Sequence, residues 1–258
     1  MEPPGEVVVD CSRLLWLDAN MCAPLAAAIV APGRRIILQK LHAAIETVLR
    51  KNGFLEGTLD DTHGTMIHYR QFEPTAGADF AAYVEANFRG KGLPVMSMGL
   101  QREFRRSIFE LFENAVAHSN TQFGIFACGQ FFPKKQQLHF CLADRGVGIA
   151  GNVRQYLRQE LTAAEAIDWA MSGQNTTRLV SDGVPGGLGL KIMREFIAQN
   201  GGAIRVASER GYWWARGKNV GKLAMAAPFP GTVVDIEVNT ADSKMYQLAG
   251  EVDPAAIF

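Results

Sequence analysis

Cysteine is scarce and unpatterned in this chain. The four, Cys11, Cys22, Cys128 and Cys141, show no CxxC spacing and no neighbouring histidine pair, which argues against a cysteine-based metal site and against a disulfide framework. Cys128 and Cys141 fall in apolar, strand-like runs, where a thiol behaves as a small buried hydrophobe. Net charge is also lacking: Lys and Arg total 26 against 26 Asp and Glu. No bulk field therefore draws the chain to nucleic acid or to a membrane surface, and Arg102, Arg105 and Arg106 read as solubility charges on one helix. No apolar run approaches the roughly 20 residues of a membrane span, and no basic-then-apolar leader opens the sequence, so the expected location is cytoplasmic. Internal repeats and low-complexity tracts are missing too.

What remains is an ordinary globular composition, 48% apolar and 20% charged over 258 residues, enough for one large domain or two modest ones. Residues 6–10 (EVVVD) and 35–38 (RIIL) read as strands. Two helical stretches, 21–29 and 41–49, alternate with them, the second ended by Asn52-Gly53. This is a unit of α/β type. Residues 66–72 add one more strand, 79–88 look helical, and the glycines of 89–94 mark a break. The expected division is therefore an N-terminal unit 1–72, a linker 73–96, a principal domain 97–240 and a tail 241–258. Within the principal domain, strands are expected at 124–132 and 138–142, a helix at 163–171, another at 188–199, and an antiparallel meander at 203–208, 212–216, 222–227 and 232–238.

The sequence 102–120, REFRRSIFELFENAVAHSN, is the most informative stretch. At about 100° per residue, Ile108, Leu111, Phe112, Ala115 and Val116 share an apolar arc of about 140°. Glu110 and Asn114, one turn apart, lie together on the polar face. Taken alone, that face is compatible with plain solvation. Two glycine-rich turns follow it. Asp144-Arg145-Gly146-Val147-Gly148 leaves a strand end, where a carboxylate has a fixed direction suited to accepting hydrogen bonds. Gly186-Gly187-Leu188-Gly189-Leu190 opens a helix, so unpaired N–H groups and the positive dipole end face the turn, as in a phosphate cradle. Neither a Walker loop nor a dinucleotide fingerprint is present, because the Gly-Lys-Ser/Thr and the required spacing are missing.

In this order, Glu110-x-x-x-Asn114, Asp144-x-Gly146-x-Gly148, Gly187-x-Gly189-Leu190 and Gly231-Thr232 resemble the ATP-binding domain of the GHKL superfamily. The resemblance covers about residues 97–238. It implies a two-layer α/β sandwich of Bergerat type with a mixed, mostly antiparallel sheet, binding ATP and magnesium. It further implies that Asn114 is the magnesium ligand and that Glu110 orients or deprotonates the nucleophile. Asp144 would read the adenine amine with Gly146 and Gly148 in its turn, Gly148 lying under the base. Gly187, Leu188, Gly189 and Leu190 would meet the phosphates, and Thr232 would support the adenine end. Residues 150–185 would form a mobile lid in which Thr177 and Arg178 contact phosphate.

Histidine kinases of this superfamily usually carry a lysine three residues after the asparagine, where this chain has Ala117. That departure points towards the anti-sigma-factor kinases. His42 is the one upstream histidine in helical context, and it lacks the neighbours of a phosphoacceptor. The N-terminal unit resembles, more loosely, a shortened STAS domain, with Val7-Val8-Val9-Asp10 and Trp16-Leu17-Asp18-Ala19-Asn20 before a helix. Ala19 and Asn20 stand where the antagonists of that fold carry a phosphorylated hydroxyl. The expected function is a magnesium-dependent, ATP-binding signalling protein that acts on or docks to a protein partner, with a STAS-like protein as the candidate. The alternative is an ATP-driven switch or clamp that phosphorylates nothing. A homodimer is compatible with either, and no specific nucleic acid is expected.

Overall fold

The computed structural model describes residues 5–30, 32–172 and 188–251. In chain order these form β1 (Gly5–Asp10), α1 (Cys22–Ile29), β2 (Arg34–Gln39), α2 (Ala43–Lys51), β3 (Met66–Phe72), α3 (Gly77–Phe88) and α4 (Met98–His118). Then follow β4 (Ile125–Phe132), β5 (Gln137–Asp144), α5 (Gly148–Leu157), α6 (Ala163–Met171), α7 (Leu188–Asn200), β6 (Ala203–Arg216) and β7 (Asn219–Asn239). Five strands make one sheet in the order β3-β4-β5-β7-β6, every neighbouring pair antiparallel. Parallel pairing, expected in a mixed sheet, occurs among the described residues in a separate two-stranded ribbon, β1–β2, and in a single bridge between Met96 and Tyr246.

Side-chain alternation along the central strands explains the layering, because successive residues point to opposite faces. Leu138, Phe140 and Leu142 of β5 and Val234, Ile236 and Val238 of β7 face one side, where they meet Phe104, Ile108 and Leu111 of α4 and Met193, Phe196 and Ile197 of α7. Cys141 and Ala143 of β5, with Phe126 and Cys128 of β4, face the other side and pack on Cys22, Ala23, Ala26 and Ala27 of α1 and Ile45 and Leu49 of α2. The sheet and the helices of its front face make the α/β sandwich expected of the principal domain, and the N-terminal unit covers the other face. Cys128 sits at that back interface, accepting the Ala23 N–H at 3.1 Å and donating to the Asn20 carbonyl at 3.2 Å. Burial pushes the Cys22 thiol up to about 12 and those of Cys128 and Cys141 well above the ordinary thiol range, so all three act as packing atoms.

Several local expectations change. Residues 66–72, read with the N-terminal unit, are the edge strand of the main sheet. β3 pairs with β4, and its Ile67 and Phe72 enter the main core. The helix expected at 79–88 is present as α3, but it is part of the main core and not a spacer, burying Phe80, Tyr83, Val84 and Phe88. The four strands of the meander fuse into the two long strands β6 and β7. Register shifts at Ser208/Glu209 and Glu209/Gly211 bend the hairpin without ending it. His42 precedes α2 as its N-cap, its ring accepting the Ala44 N–H at 3.4 Å. No helix among the described residues is long and apolar enough to cross a membrane.

The cap and core of α4 follow its sequence. Ser97 accepts the Leu100 N–H at 3.1 Å, satisfying one orphan donor of the first turn. Phe112, 2% exposed, stacks on Phe80 with centroids 4.5 Å apart and meets Phe72 edge-on at 6.2 Å. Phe112→Ala removes the ring shared by α3, α4 and β3. The expected loss in a urea unfolding measurement is about 3–5 kcal/mol.

Candidate functional site

The alternation that buries Leu138, Phe140 and Leu142 continues one step further, to Asp144. The carboxylate therefore points to the α4 side at the very end of β5, flanked by Ile125 on one neighbour and Thr232 on the other. It is 3% exposed. The backbone N–H groups of Gly146 and Thr232 donate to it, yet burial outweighs them and its pKa is pushed up to about 7. Oδ1 has no hydrogen-bond partner. A buried acceptor left open is costly, and the residue that carries it lines a cavity of about 1080 Å³ including its mouth.

The turn after Asp144 is shaped by close packing. A Cβ on Gly146 would lie 2.0 Å from the Ser119 carbonyl oxygen at the end of α4, and the Val147 N–H donates to that same oxygen at 2.8 Å. Gly148 has φ +76, and a Cβ there would lie 2.7 Å from Ser208 Oγ. Only glycine fits both its conformation and its space. Arg145 turns the other way and donates to the carbonyls of Ala27 and Ala28 at 3.2 and 3.1 Å. A guanidinium at the C-terminal end of α1 is also favoured by the helix dipole. The same five residues therefore shape the cavity floor and hold the N-terminal unit.

On α4, Glu110 and Asn114 stand one turn apart, and both line the same cavity. Arg106 Nε lies 3.6 Å from Glu110 Oε1, an ion pair one turn along the helix. Leu190 of α7, Gly148 and Thr232 complete the group of sequence-predicted residues that meet in this one cavity. Gly146 shapes the turn from behind. Leu188 and Gly189 form the first residues of α7. Thr177, Arg178 and Gly187 lie outside the described residues.

Residues not foreseen also matter. Ser208 is fully buried. Its hydroxyl donates to the Gly231 carbonyl at 2.8 Å while accepting the Ile149 N–H at 2.9 Å, and it stands 3.4 Å from Thr232 Oγ1. It locks α5 to the β6–β7 hairpin beneath the cavity. Asn152 Nδ2 donates to the carbonyls of His118 at 2.7 Å and Gly148 at 3.2 Å, tying α5 to the end of α4. Trp169 and Met171 of α6, with Ile149 and Val153 of α5, supply apolar wall. Their helices belong to the region expected as a lid. In its described part that region is packed: Ile167 and Met171 reach the main core, and the Trp213 Nε1–H donates to Asp168 Oδ1 at 2.9 Å.

The donor set is chemically coherent. The closed end offers one unsatisfied oxygen acceptor beside apolar walls, suited to a flat ring with an amine edge. The α4 side offers a carboxylate and an amide, both hard oxygen donors. Among the described residues no cluster of three or more His, Cys, Asp or Glu could hold a metal. A magnesium ion here would therefore take most of its ligands from water and a bound phosphate, as that cation commonly does. The chain matches no protein-family model and no curated protein.

Because the folded carboxyl of Asp144 titrates near 7 and an unfolded aspartate near 3.9, the folded state holds the extra proton between those values. Stability contributed by this group is full below about 4, falls as pH rises to about 7, and is flat above. Asp144→Asn can keep both N–H bonds on its amide oxygen. Urea unfolding at pH 5 and pH 8 should show the variant gaining on the wild type at pH 8. An equal pH response in the two proteins would contradict the burial argument.

Proposed function

We propose that the cavity binds ATP with magnesium, and that the protein is a signalling protein of the anti-sigma-factor serine/threonine kinase kind within the GHKL superfamily. The observation that carries this reading is Asp144: a buried carboxylate with one open oxygen, in a residue that lines the same cavity as Glu110 and Asn114. Asn52 Oδ1, in the N-terminal unit, is likewise buried without a partner, but only Asp144 belongs to a residue that lines the cavity; an exocyclic amine would satisfy its open oxygen. Gly148 gives the base room to lie against the backbone, and Thr232 supports the same end.

Asn114 would then hold magnesium through its amide oxygen, and the start of α7 would meet the phosphate groups. Magnesium, when bound, neutralises charge on the phosphate oxygens. Glu110 accepts the proton of a partner's hydroxyl as that oxygen attacks the γ-phosphorus, so the phosphoryl group passes to the partner and ADP leaves. Thr177, Arg178 and Gly187 keep the phosphate-contact roles that the family resemblance implies. The partner is a protein, with a STAS-like protein as the candidate.

The test is incubation with γ-labelled ATP and magnesium, with and without STAS-like partners. Label on a partner serine or threonine supports the kinase. Free phosphate alone supports a switch that hydrolyses ATP and phosphorylates nothing. Absence of any ATP binding defeats both. Glu110→Ala should leave ATP affinity within about twofold and lower turnover by about 10²–10⁴-fold. Asn114→Ala should abolish the magnesium dependence of binding, and an unchanged dependence would remove Asn114 from the site.

A further inference from the structure

The β1–β2 ribbon is an incomplete sheet. Its strands are written for burial, with Val7, Val8 and Val9 in one and Ile36, Ile37 and Leu38 in the other, yet none of the six is buried. Leu38 alone packs against a core cluster, and Val8 is 52% exposed. Parallel strands occur almost only in sheets covered on both faces, and a two-stranded sheet is marginal by itself. Among the described residues no third strand joins this sheet.

We propose that the outer edge of β2 pairs antiparallel with β2 of a second copy, making a four-stranded sheet across a two-fold axis. The register within one chain decides which backbone groups are available. Cys11 N–H donates to the Gln39 carbonyl at 2.9 Å, so Gln39 faces β1, and by alternation so do Ile37 and Arg35. Arg34, Ile36 and Leu38 present their backbone N–H and C=O groups outwards. In an antiparallel pair two outward-facing residues oppose each other, so a two-fold axis at Ile36 sets Ile36 against its own copy, Arg34 against Leu38 and Arg35 against Ile37. No like charges meet, and the aliphatic residues of the two copies run together. The same operation on β1, whose outward residues are Glu6, Val8 and Asp10, would set Glu6 against Asp10 in the register centred on Val8. Like charges directly opposite are destabilising. Asp10 is also held by Lys40 at 2.7 Å and the Ser12 N–H at 2.8 Å. The β2 edge thus offers pairing with no like charges opposed and with its aliphatic residues together, whereas on β1 the Asp10 carboxylate is already engaged by Lys40 and Ser12. A formal net charge of zero leaves no long-range repulsion between copies.

Ile36→Pro tests this in the full chain. Its lost N–H faces away from β1, where proline is tolerated. Sedimentation of the wild type up to about 100 µM should show monomer and dimer, and Ile36→Pro should weaken association by about tenfold or more. Val8→Pro on the other edge should leave it unchanged. Hydrogen exchange on the unmodified chain gives a readout free of folding effects: amide exchange at Ile36 and Leu38 should slow with concentration, while Ile37, bonded towards β1, should not. A wild type that stays monomeric throughout, or a dimer abolished by Val8→Pro and spared by Ile36→Pro, overturns the proposal.

Discussion

The structure turns on the burial of one carboxylate. Asp144 ends a central strand, is 3% exposed, and has an oxygen with no partner. Keeping it there costs folding free energy, and burial moves its pKa to about 7. The surroundings are arranged to hold it nonetheless: two backbone N–H groups on the carboxylate, a glycine turn pressed on the end of α4, and Ser208 pinning the hairpin beneath. A fold can carry such a cost only where the sheet around it is otherwise well packed.

That packing comes from both faces. α3, α4 and α7 cover one with a large aliphatic and aromatic core, and the N-terminal unit covers the other through small residues and thiols. Arg145 joins the two, since the turn that leaves Asp144 also caps α1. α4 serves twice. Its apolar arc fixes its height and rotation over the sheet, and that rotation brings Glu110 and Asn114 to the cavity that Asp144 also lines.

Much of this was legible in the sequence because it is local. The period of Ile108, Leu111, Phe112 and Ala115 predicts α4 and the face of Glu110 and Asn114; the strand preceding Asp144 predicts its direction. What was not legible depends on distant pairing. Nothing within residues 66–72 distinguishes an edge strand of the main sheet from a last strand of the N-terminal unit, because the difference is made by β4, over fifty residues later. α5 was hidden by Gly148 and Gly151, which weaken a helical pattern while serving close approach. Ser208 left a faint signal: it follows Ile204 and Val206 at the next inward position of β6, where a polar residue needs a reason.

The proposed nucleotide site depends on the open oxygen of Asp144 receiving a donor from an adenine ring. Asparagine at this position can retain the two backbone bonds while turning the open acceptor into a donor. The decisive measurement is calorimetric titration of wild type and Asp144→Asn with magnesium and ATP at pH 8, where the wild-type carboxyl is mostly ionised. The account predicts an affinity loss of about tenfold or more in the variant. Equal ATP affinity in the two proteins would contradict it.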